Sequence, residues 1–309
     1  MPSLREVKLR IKSVQNISQV TRALQAVSTS RVRRATQMLV QTRPYAEKAW
    51  SVLEHLANQT GRSSLHPLLY EKDVIRNVQF VVISGERGLA GAYNSNIIRY
   101  VLQCEAELLE HNDDININYV TIGRKGRDIL ARNRKKIIGE FSKLPPFPSF
   151  LDISPMGKLV IEEYLTGTID EVYLIYTDFV NMMTQIPTRK RLLPLPIGDE
   201  DDRVMQYQSR TSKSEKTSIV AAYTFEPDEV GLLDQIVPRF TALQIYQAVL
   251  ESLASEHAAR MVAMKNATEN AIDLAHSLQL QYNKARQQGI TNDMIDIVGG
   301  AEALSQSIA

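Results

Sequence analysis

The sequence predicts an α/β domain flanked by two long helices that pair as an antiparallel coiled coil. Both ends of the chain carry apolar residues repeated every three or four positions, which is the pattern of one helix face. The middle carries short, continuous apolar runs separated by helical stretches, as in a sheet buried on both faces. Aromatic residues make up only 6% of the chain, which favours long helices that pack through smaller side chains.

The N-terminal segment, residues 1–60, is predicted to be one long helix. Between Leu4 and Asn58 it contains no Gly, and Pro44 is its only Pro, which predicts a kink there. About 55 residues of helix would extend roughly 80 Å. A helix of this length needs a partner that buries its apolar stripe.

The C-terminal segment, residues 226–309, is predicted to be the second long helix. Pro227 is a favourable first helical residue, and apolar residues then recur at coiled-coil spacing. Pro238 predicts a kink, and Gly289 costs about 1 kcal/mol inside a helix. Residues 1–45 hold nine basic residues and one acid, whereas the last segment is acidic. Opposite charge favours the two helices lying side by side, and an antiparallel pair is the simplest closure.

Between the helices, residues 61–225 are predicted to form a Rossmann-like α/β domain. Apolar runs predict strands at residues 78–84, 117–122, 136–141 and 171–177. Helices are predicted around residues 96–110, near 125–132 and over 154–165. Proline-rich or polar stretches predict loops at residues 144–149 and 199–218. Because strands alternate with helices, we expect the strands to be parallel.

Composition argues against several classes of protein. The formal net charge is +1, so a dedicated nucleic-acid binder is not expected. Cys104 is the single cysteine, which rules out an intrachain disulfide and suits a reducing cytoplasm. No apolar run reaches the roughly 18 residues of a membrane span, and the basic N-terminus lacks the apolar core of a signal peptide. We therefore predict no direct lipid span.

A glycine-rich turn, residues 85–94, follows the first predicted strand and precedes a helix. A phosphate cradle is conceivable at this place. However, the turn matches neither GxxxxGK[ST] nor GxGxxG, and no acidic partner for a ribose ends the next strand. We therefore favour a tight strand-to-helix turn and predict no cofactor.

The sequence also predicts no catalytic residue and no metal ligand. The five histidines are scattered, and none forms HxxxH or HExxH. Ser255, Glu256 and His257 are consecutive, so on a helix they point about 100° apart and cannot form a catalytic triad. The basic run at residues 31–34 (RVRR) is either a solvated helix face or a contact for phosphate or acidic protein.

Several long stretches resemble the gamma subunits of F-type ATP synthases. On the first helix these are residues 13–17 (SVQNI), 21–24 (TRAL) and 43–46 (RPYA), and the turn at residues 87–94 (RGLAGAYN) follows. The strongest match is residues 254–265 (ASEHAARMVAMK), followed by 282–287 (YNKARQ) and 295–301 (IDIVGGA). Leu24, Arg31 and Ala90 depart from the Met, Lys and Cys that are common in the family. The cysteine-bearing insertion of the chloroplast type is absent.

This resemblance implies a rotor shaft whose paired helices stand inside a hexamer of alpha and beta subunits. The shaft would couple proton flow through a membrane c ring to ATP synthesis or hydrolysis at the beta subunits, without an active site of its own. The implied partners are the alpha, beta and epsilon subunits and the c ring, at the cytoplasmic face of the bacterial plasma membrane.

The same resemblance implies roles for six residues. Arg286 and Gln287 match a polar pair that meets a loop of the beta subunit, and Leu24 matches a position near the beta lever region. The segment implied to rest on the c ring contains Tyr223, Phe225 and Glu226. From the residues alone, two other classes stay open: an α/β nucleotide-binding enzyme with helical arms, and an unrelated coiled-coil scaffold.

Overall fold

A computed structural model describes the backbone of residues 4–60, 66–72, 74–111, 114–195 and 229–308. In chain order the elements are α1 (Leu4–Thr60), β1 (Asn77–Ile83), α2 (Tyr93–His111), β2 (Asn116–Ile122), α3 (Arg124–Arg132), β3 (Ile137–Phe141), α4 (Phe150–Leu165), β4 (Glu171–Phe179), β5 (Gln185–Leu193) and α5 (Glu229–Ile308). The chain forms two units, residues 1–29 with 260–309, and residues 30–259. Both long helices therefore contribute to both units.

The first unit is an antiparallel coiled coil. Buried residues recur every seven positions, as Val7, Val14, Thr21 and Ser28 on α1 and Met264, Ala271 and Leu278 on α5. The hydroxyls of Thr21 and Thr268 lie 2.6 Å apart. Val7, nearer the start of α1, shares an apolar cluster with Leu278, further along α5. The two helices run in opposite directions, and the predicted pairing is confirmed.

The second unit is built on a five-stranded sheet of order β3-β2-β1-β4-β5. Neighbouring strands from β3 to β4 are parallel, and β5 pairs antiparallel with β4. The chain runs outward from β1 to β3 and then crosses back to β4. This is the strand order of a doubly wound sheet, in which the direction of winding reverses between β1 and β4.

Helices cover both faces of this sheet. Phe80 of β1 faces a core formed with α2 and α3, whereas its neighbour Val81 faces the opposite core. That second core combines α4 with Trp50 of α1 and Phe240 of α5, whose rings lie 5.6 Å apart. Because both faces are buried, β1, β2 and β4 carry the continuous apolar runs from which they were predicted.

Two predictions about this unit are wrong. The sequence does not predict β5, because its Pro187 and the basic run at residues 189–191 interrupt any apolar run, so the sheet is mixed rather than fully parallel. Helix α4 begins at Phe150 rather than residue 154, because Ser149 and Asp152 form a capping box that starts the helix ahead of Pro155.

The remaining predicted strands and helices of the second unit agree with the structure within a few residues. Pro44 lies inside α1, and both Pro238 and Gly289 lie inside α5. The predicted loop at residues 199–218 and the helix start at Pro227 lie outside the described residues.

Candidate functional site

The first candidate site is the crevice at the carboxyl ends of β1 and β4. Open α/β sheets bind their ligands at the point where the strand order reverses, and here that point lies between these two strands. The glycine-rich turn at residues 85–94 follows β1 at this edge. It is therefore the place where a nucleotide would be expected.

The turn is occupied by side chains of the protein. Asn94 accepts a hydrogen bond from the backbone N–H of Gly85 through Oδ1 at 2.9 Å and donates from Nδ2 to the carbonyl of Arg87 at 3.4 Å. A Cβ added at Gly85 would lie 2.8 Å from Asn94 Oδ1 and 3.1 Å from Glu256 Cδ. The N–H that a phosphate would need is already bonded, and the Glu256 carboxyl beside it opposes an anion. This geometry favours the strand-to-helix turn over the phosphate cradle.

A second anion position at this edge, the N-terminus of α3, is also filled from within. Glu86 accepts hydrogen bonds from the backbone N–H groups of Arg124 and Lys143 at 3.0 Å and 3.1 Å. The hydroxyl of Ser84 accepts a further bond from the N–H of Gly126 at 2.9 Å. Helix N-termini attract anions, and Glu86 supplies that negative charge here.

The described residues hold no group of three or more His, Cys, Asp or Glu side chains that could bind a metal ion. Ser255 donates its hydroxyl hydrogen bond to the backbone carbonyl of Thr177 at 3.2 Å, so this hydroxyl is directed at the sheet. Burial raises the pKa of the Cys104 thiol, which disfavours the reactive thiolate. These side chains have structural roles.

The second candidate site is the end of α5 in the coiled-coil unit. Arg286 and Gln287 are both exposed, one turn beyond Tyr282, which still packs against the apolar cluster shared with α1. Leu24 lies on α1 and is half-buried, so part of its side chain is accessible. Tyr223, Phe225 and Glu226, the residues predicted to meet the c ring, lie outside the described residues.

The residues that follow Arg286 differ from the coiled coil that their spacing predicts. Their spacing continues the coiled-coil pattern, yet the structure leaves five of them between 53% and 71% exposed: Ile290, Met294, Ile295, Ile297 and Val298. None of these five belongs to the apolar cluster that α1 and α5 share among the described residues. Exposed apolar surface is typical of sites where another protein, a membrane or a ligand binds. The signal available in the sequence was that the C-terminal pattern is longer than the N-terminal one.

The basic run at residues 31–34 is divided between two environments. The Arg34 guanidinium lies over the ring of Phe147, 4.3 Å from its centre, and such cation–π contacts hold an arginine in place. Arg33 is exposed and Arg31 is half-buried. Arg34 is exposed as well, so the free chain presents a largely solvated face here, and a contact with phosphate or acidic protein stays a prediction.

These features define a class of protein that combines a long antiparallel helix pair with a doubly wound sheet whose crevice is filled by the chain's own side chains. A sequence model of the ATP synthase family matches residues 3–304. The chain is 39% identical to an ATP synthase gamma chain of Roseiflexus castenholzii over 99% of this chain and all of that one. It is 40% identical to the gamma chain of Stenotrophomonas maltophilia over 98% of this chain and all of that one. The chain therefore belongs to the ATP synthase gamma-chain family, as its motifs predicted.

Solved structures share the fold. The rotor of the mitochondrial ATP synthase of Euglena gracilis matches with a TM-score of 0.60 at 20% identity, over 93% of this chain and 98% of that one. The central stalk and c ring structure of the Tetrahymena thermophila enzyme contains a match with a TM-score of 0.56 at 22% identity, over 80% of this chain and 99% of that one. The predicted combination of an α/β sheet with a long helix pair is confirmed.

Proposed function

We propose that this chain is the central rotor shaft of an F-type ATP synthase. It couples proton flow through the membrane c ring to ATP synthesis or hydrolysis at the beta subunits and contains no catalytic site of its own. The observation that carries the proposal is the exposed end of α5, where a polar pair and an apolar surface occur together in a chain of the gamma family.

The exposed end of α5 suits insertion into the centre of the alpha and beta hexamer. Apolar side chains more than half exposed in the free chain gain free energy when another protein covers them, at about 25 cal/mol per Å² of apolar surface. Arg286 offers five donors in a rigid fork, which suits a cluster of carboxylates or carbonyls on a beta subunit. We assign the beta contacts to Arg286, Gln287 and Leu24.

Coupling follows from differential contact. As the shaft turns, each beta subunit meets a different side of the same helix pair. A subunit changes state only by the difference in contact free energy that each state has with the shaft. The shaft thus sets the nucleotide affinity of three beta subunits in turn without binding nucleotide itself.

We assign the contact with the c ring to Tyr223, Phe225 and Glu226. The epsilon subunit would bind near this segment. We place the chain at the cytoplasmic face of the bacterial plasma membrane as a peripheral subunit. In the part of the chain that the structure describes, no helix is long and apolar enough to cross a lipid bilayer.

Reconstitution tests the proposal. Alpha and beta subunits should hydrolyse ATP at a high rate only when this chain is added. The double variant Arg286→Ala with Gln287→Ala should lower turnover or assembly of the head while leaving the melting temperature of the free chain nearly unchanged, because exposed helix residues contribute about 0.5 kcal/mol or less.

A matched control is Lys284→Ala with Gln288→Ala. These residues are also exposed on α5 and flank the assigned pair in the chain, but the resemblance to the family gives them no contact with beta. The control should keep wild-type turnover. Wild-type hydrolysis, synthesis and assembly in the Arg286 and Gln287 variant would show that the beta contact is assigned to the wrong residues.

A further inference from the structure

On the side that faces β1, strand β4 extends beyond its partner, whereas its other side stays paired with β5 as far as Phe179. The pairing of β1 with β4 ends at Val82 and Ile175, and the N–H of Ser84 already bonds to Ile122 of β2. Thr177 therefore lies past the stretch that pairs with β1, although it still lies opposite Pro187 of β5. It is at the carboxyl edge of the sheet and only 3% exposed. Its backbone N–H and C=O need partners, because an unpaired buried peptide group is costly.

Helix α5 supplies both partners. The N–H of Thr177 donates to Ser252 Oγ at 3.2 Å, and Ser255 Oγ donates to the carbonyl of Thr177 at 3.2 Å. The two serines lie one turn apart on one helix face and are 2% and 0% exposed. The hydroxyl of Tyr93, at the start of α2, donates to the carbonyl of Ser252 at 3.2 Å. Two separate elements around the crevice thus hold the same turn of α5.

These bonds differ in kind from the packing around them. Leu243, Val249 and Leu250 of α5 belong to the apolar core under the sheet, and apolar contact is non-directional, so it resists separation better than sliding or rotation. Hydrogen bonds require both a distance and an angle. The serine bonds therefore fix the register and rotation of α5 relative to the sheet.

We propose that the crevice in which an α/β sheet would bind a ligand here holds the shaft helix, and that Ser252 and Ser255 form the joint by which sheet and helix turn together. This inference rests on the proposed function, because torque passes between them only in a rotor. Ser252, Ser255 and Tyr93 are positioning residues that keep the sheet from slipping around α5 under load.

The test uses the complete ATP synthase in lipid vesicles with the double variant Ser252→Ala and Ser255→Ala. Protons pumped per ATP hydrolysed should fall, most strongly against a large opposing gradient, while hydrolysis continues. Hydrogen exchange of the Thr177 amide should become up to about tenfold faster, the change expected for the loss of one hydrogen bond. Tyr93→Phe removes the bond to the carbonyl of Ser252 and leaves both serine bonds in place, so it should give a smaller loss of pumping. It serves as the readout if the double variant does not assemble.

Two controls separate the joint from general stability. Ser277→Ala removes an α5 hydroxyl that bonds to the carbonyl of Leu274 in its own helix and should pump normally. Ile153→Val, in the fully buried core of the same unit, should lower the melting temperature but not the pumping ratio.

A wild-type pumping ratio in both the serine and tyrosine variants overturns the joint, as does an equal loss in Ile153→Val. Failure of the wild-type chain to support coupled pumping instead contradicts the proposed function.

Discussion

Asp170 organises the amino edge of the sheet. Its side chain is 12% exposed and accepts hydrogen bonds from Lys72 Nζ at 2.8 Å and from the N–H groups of Arg76 and Asn77 at 2.9 Å and 2.8 Å. Burial raises the pKa of Asp170. The bonds from Lys72 and the two N–H groups lower it by a larger amount, so the net pKa lies below the ordinary value. One carboxylate thus joins the segment before β1 to the start of β4.

Asp170→Asn should lower the free energy of unfolding by about 1–3 kcal/mol, because it removes a charged acceptor from three donors. The pKa of Asp170 is depressed in the folded state, so its contribution is present above the unfolded value of about 4 and is lost as pH falls below it. Urea unfolding at pH 7 and pH 3 should therefore show a difference from wild type that shrinks in acid. Asp293→Asn, at an exposed position on α5, is the control and should change little.

His66 gives a second pH dependence, in which burial outweighs the effect of the charged neighbour. Its Nδ1 accepts the N–H of Leu68 at 3.1 Å, and its Nε2 lies 3.4 Å from Asp234 Oδ1. Burial lowers the pKa of His66 by more than Asp234 raises it. The folded chain therefore favours the neutral ring, whose stabilisation is complete above about pH 6.5 and is lost as pH falls.

His66→Asn keeps a side-chain acceptor for the N–H of Leu68 but does not titrate. We expect the stability advantage of wild type over this variant to be largest at pH 7 and to shrink by pH 5, as measured by chemical unfolding at each pH. An advantage that is constant or grows in acid would mean that His66 is charged in the folded chain.

At the scale of elements, α4 and α5 of the second unit approach each other closely at Gly157. A Cβ added at Gly157 would lie 2.8 Å from the Cβ of Ala242 and 3.1 Å from its Cα. The nearest atoms include backbone, so the helices themselves would have to separate. Gly157→Ala should destabilise the free chain by about 1–3 kcal/mol in thermal or urea unfolding, which is the usual cost of overpacking.

Gly289→Ala should stabilise the chain, in contrast to Gly157→Ala. Gly289 lies inside α5, and a Cβ there would meet no atom within 4 Å. Alanine should stabilise this turn of helix by about 0.5–1 kcal/mol. Helical content measured by circular dichroism should rise, or the end of α5 should fray at a higher temperature. Unchanged helical content and fraying would show that Gly289 does not limit the stability of this helix end.

The elements that were predicted correctly carry a recognisable pattern within their own residues. Strands β1, β2 and β4 are buried on both faces, so their apolar runs are continuous. The edge strand β5 carries Pro187 and charged side chains and has no such run. The exposed end of α5 was read as coiled coil, because spacing along one helix does not reveal where its partner begins.

At the scale of the whole molecule, sequence distance limits what can be predicted. The filling of the crevice depends on Asn94 and Glu256, which are far apart in the chain and meet only when α5 crosses the sheet. The roles of Arg286 and Gln287 came from resemblance to a family, since exposed polar residues on a helix have no distinctive pattern. The division at residues 60 and 225 into shaft and α/β parts stays a prediction.

The free chain should not bind ATP at micromolar concentration, because Asn94 occupies the Gly85 N–H and Glu256 lies beside it. Isothermal titration calorimetry checks this directly. Micromolar binding that is abolished by substitutions at Gly88 and Gly91 would restore the nucleotide-site reading of the turn.

The position of Ser252 and Ser255 late in the chain has a consequence for biosynthesis. The sheet ends at Leu193, and several seconds of translation pass before these serines are made, at about 5–20 residues per second. Until then the backbone N–H and C=O of Thr177 lack their serine partners, and the core under the sheet lacks α5. A nascent chain halted before residue 252 should be held by chaperones or degraded, so a premature stop there removes the subunit instead of leaving a shortened rotor that could jam assembly.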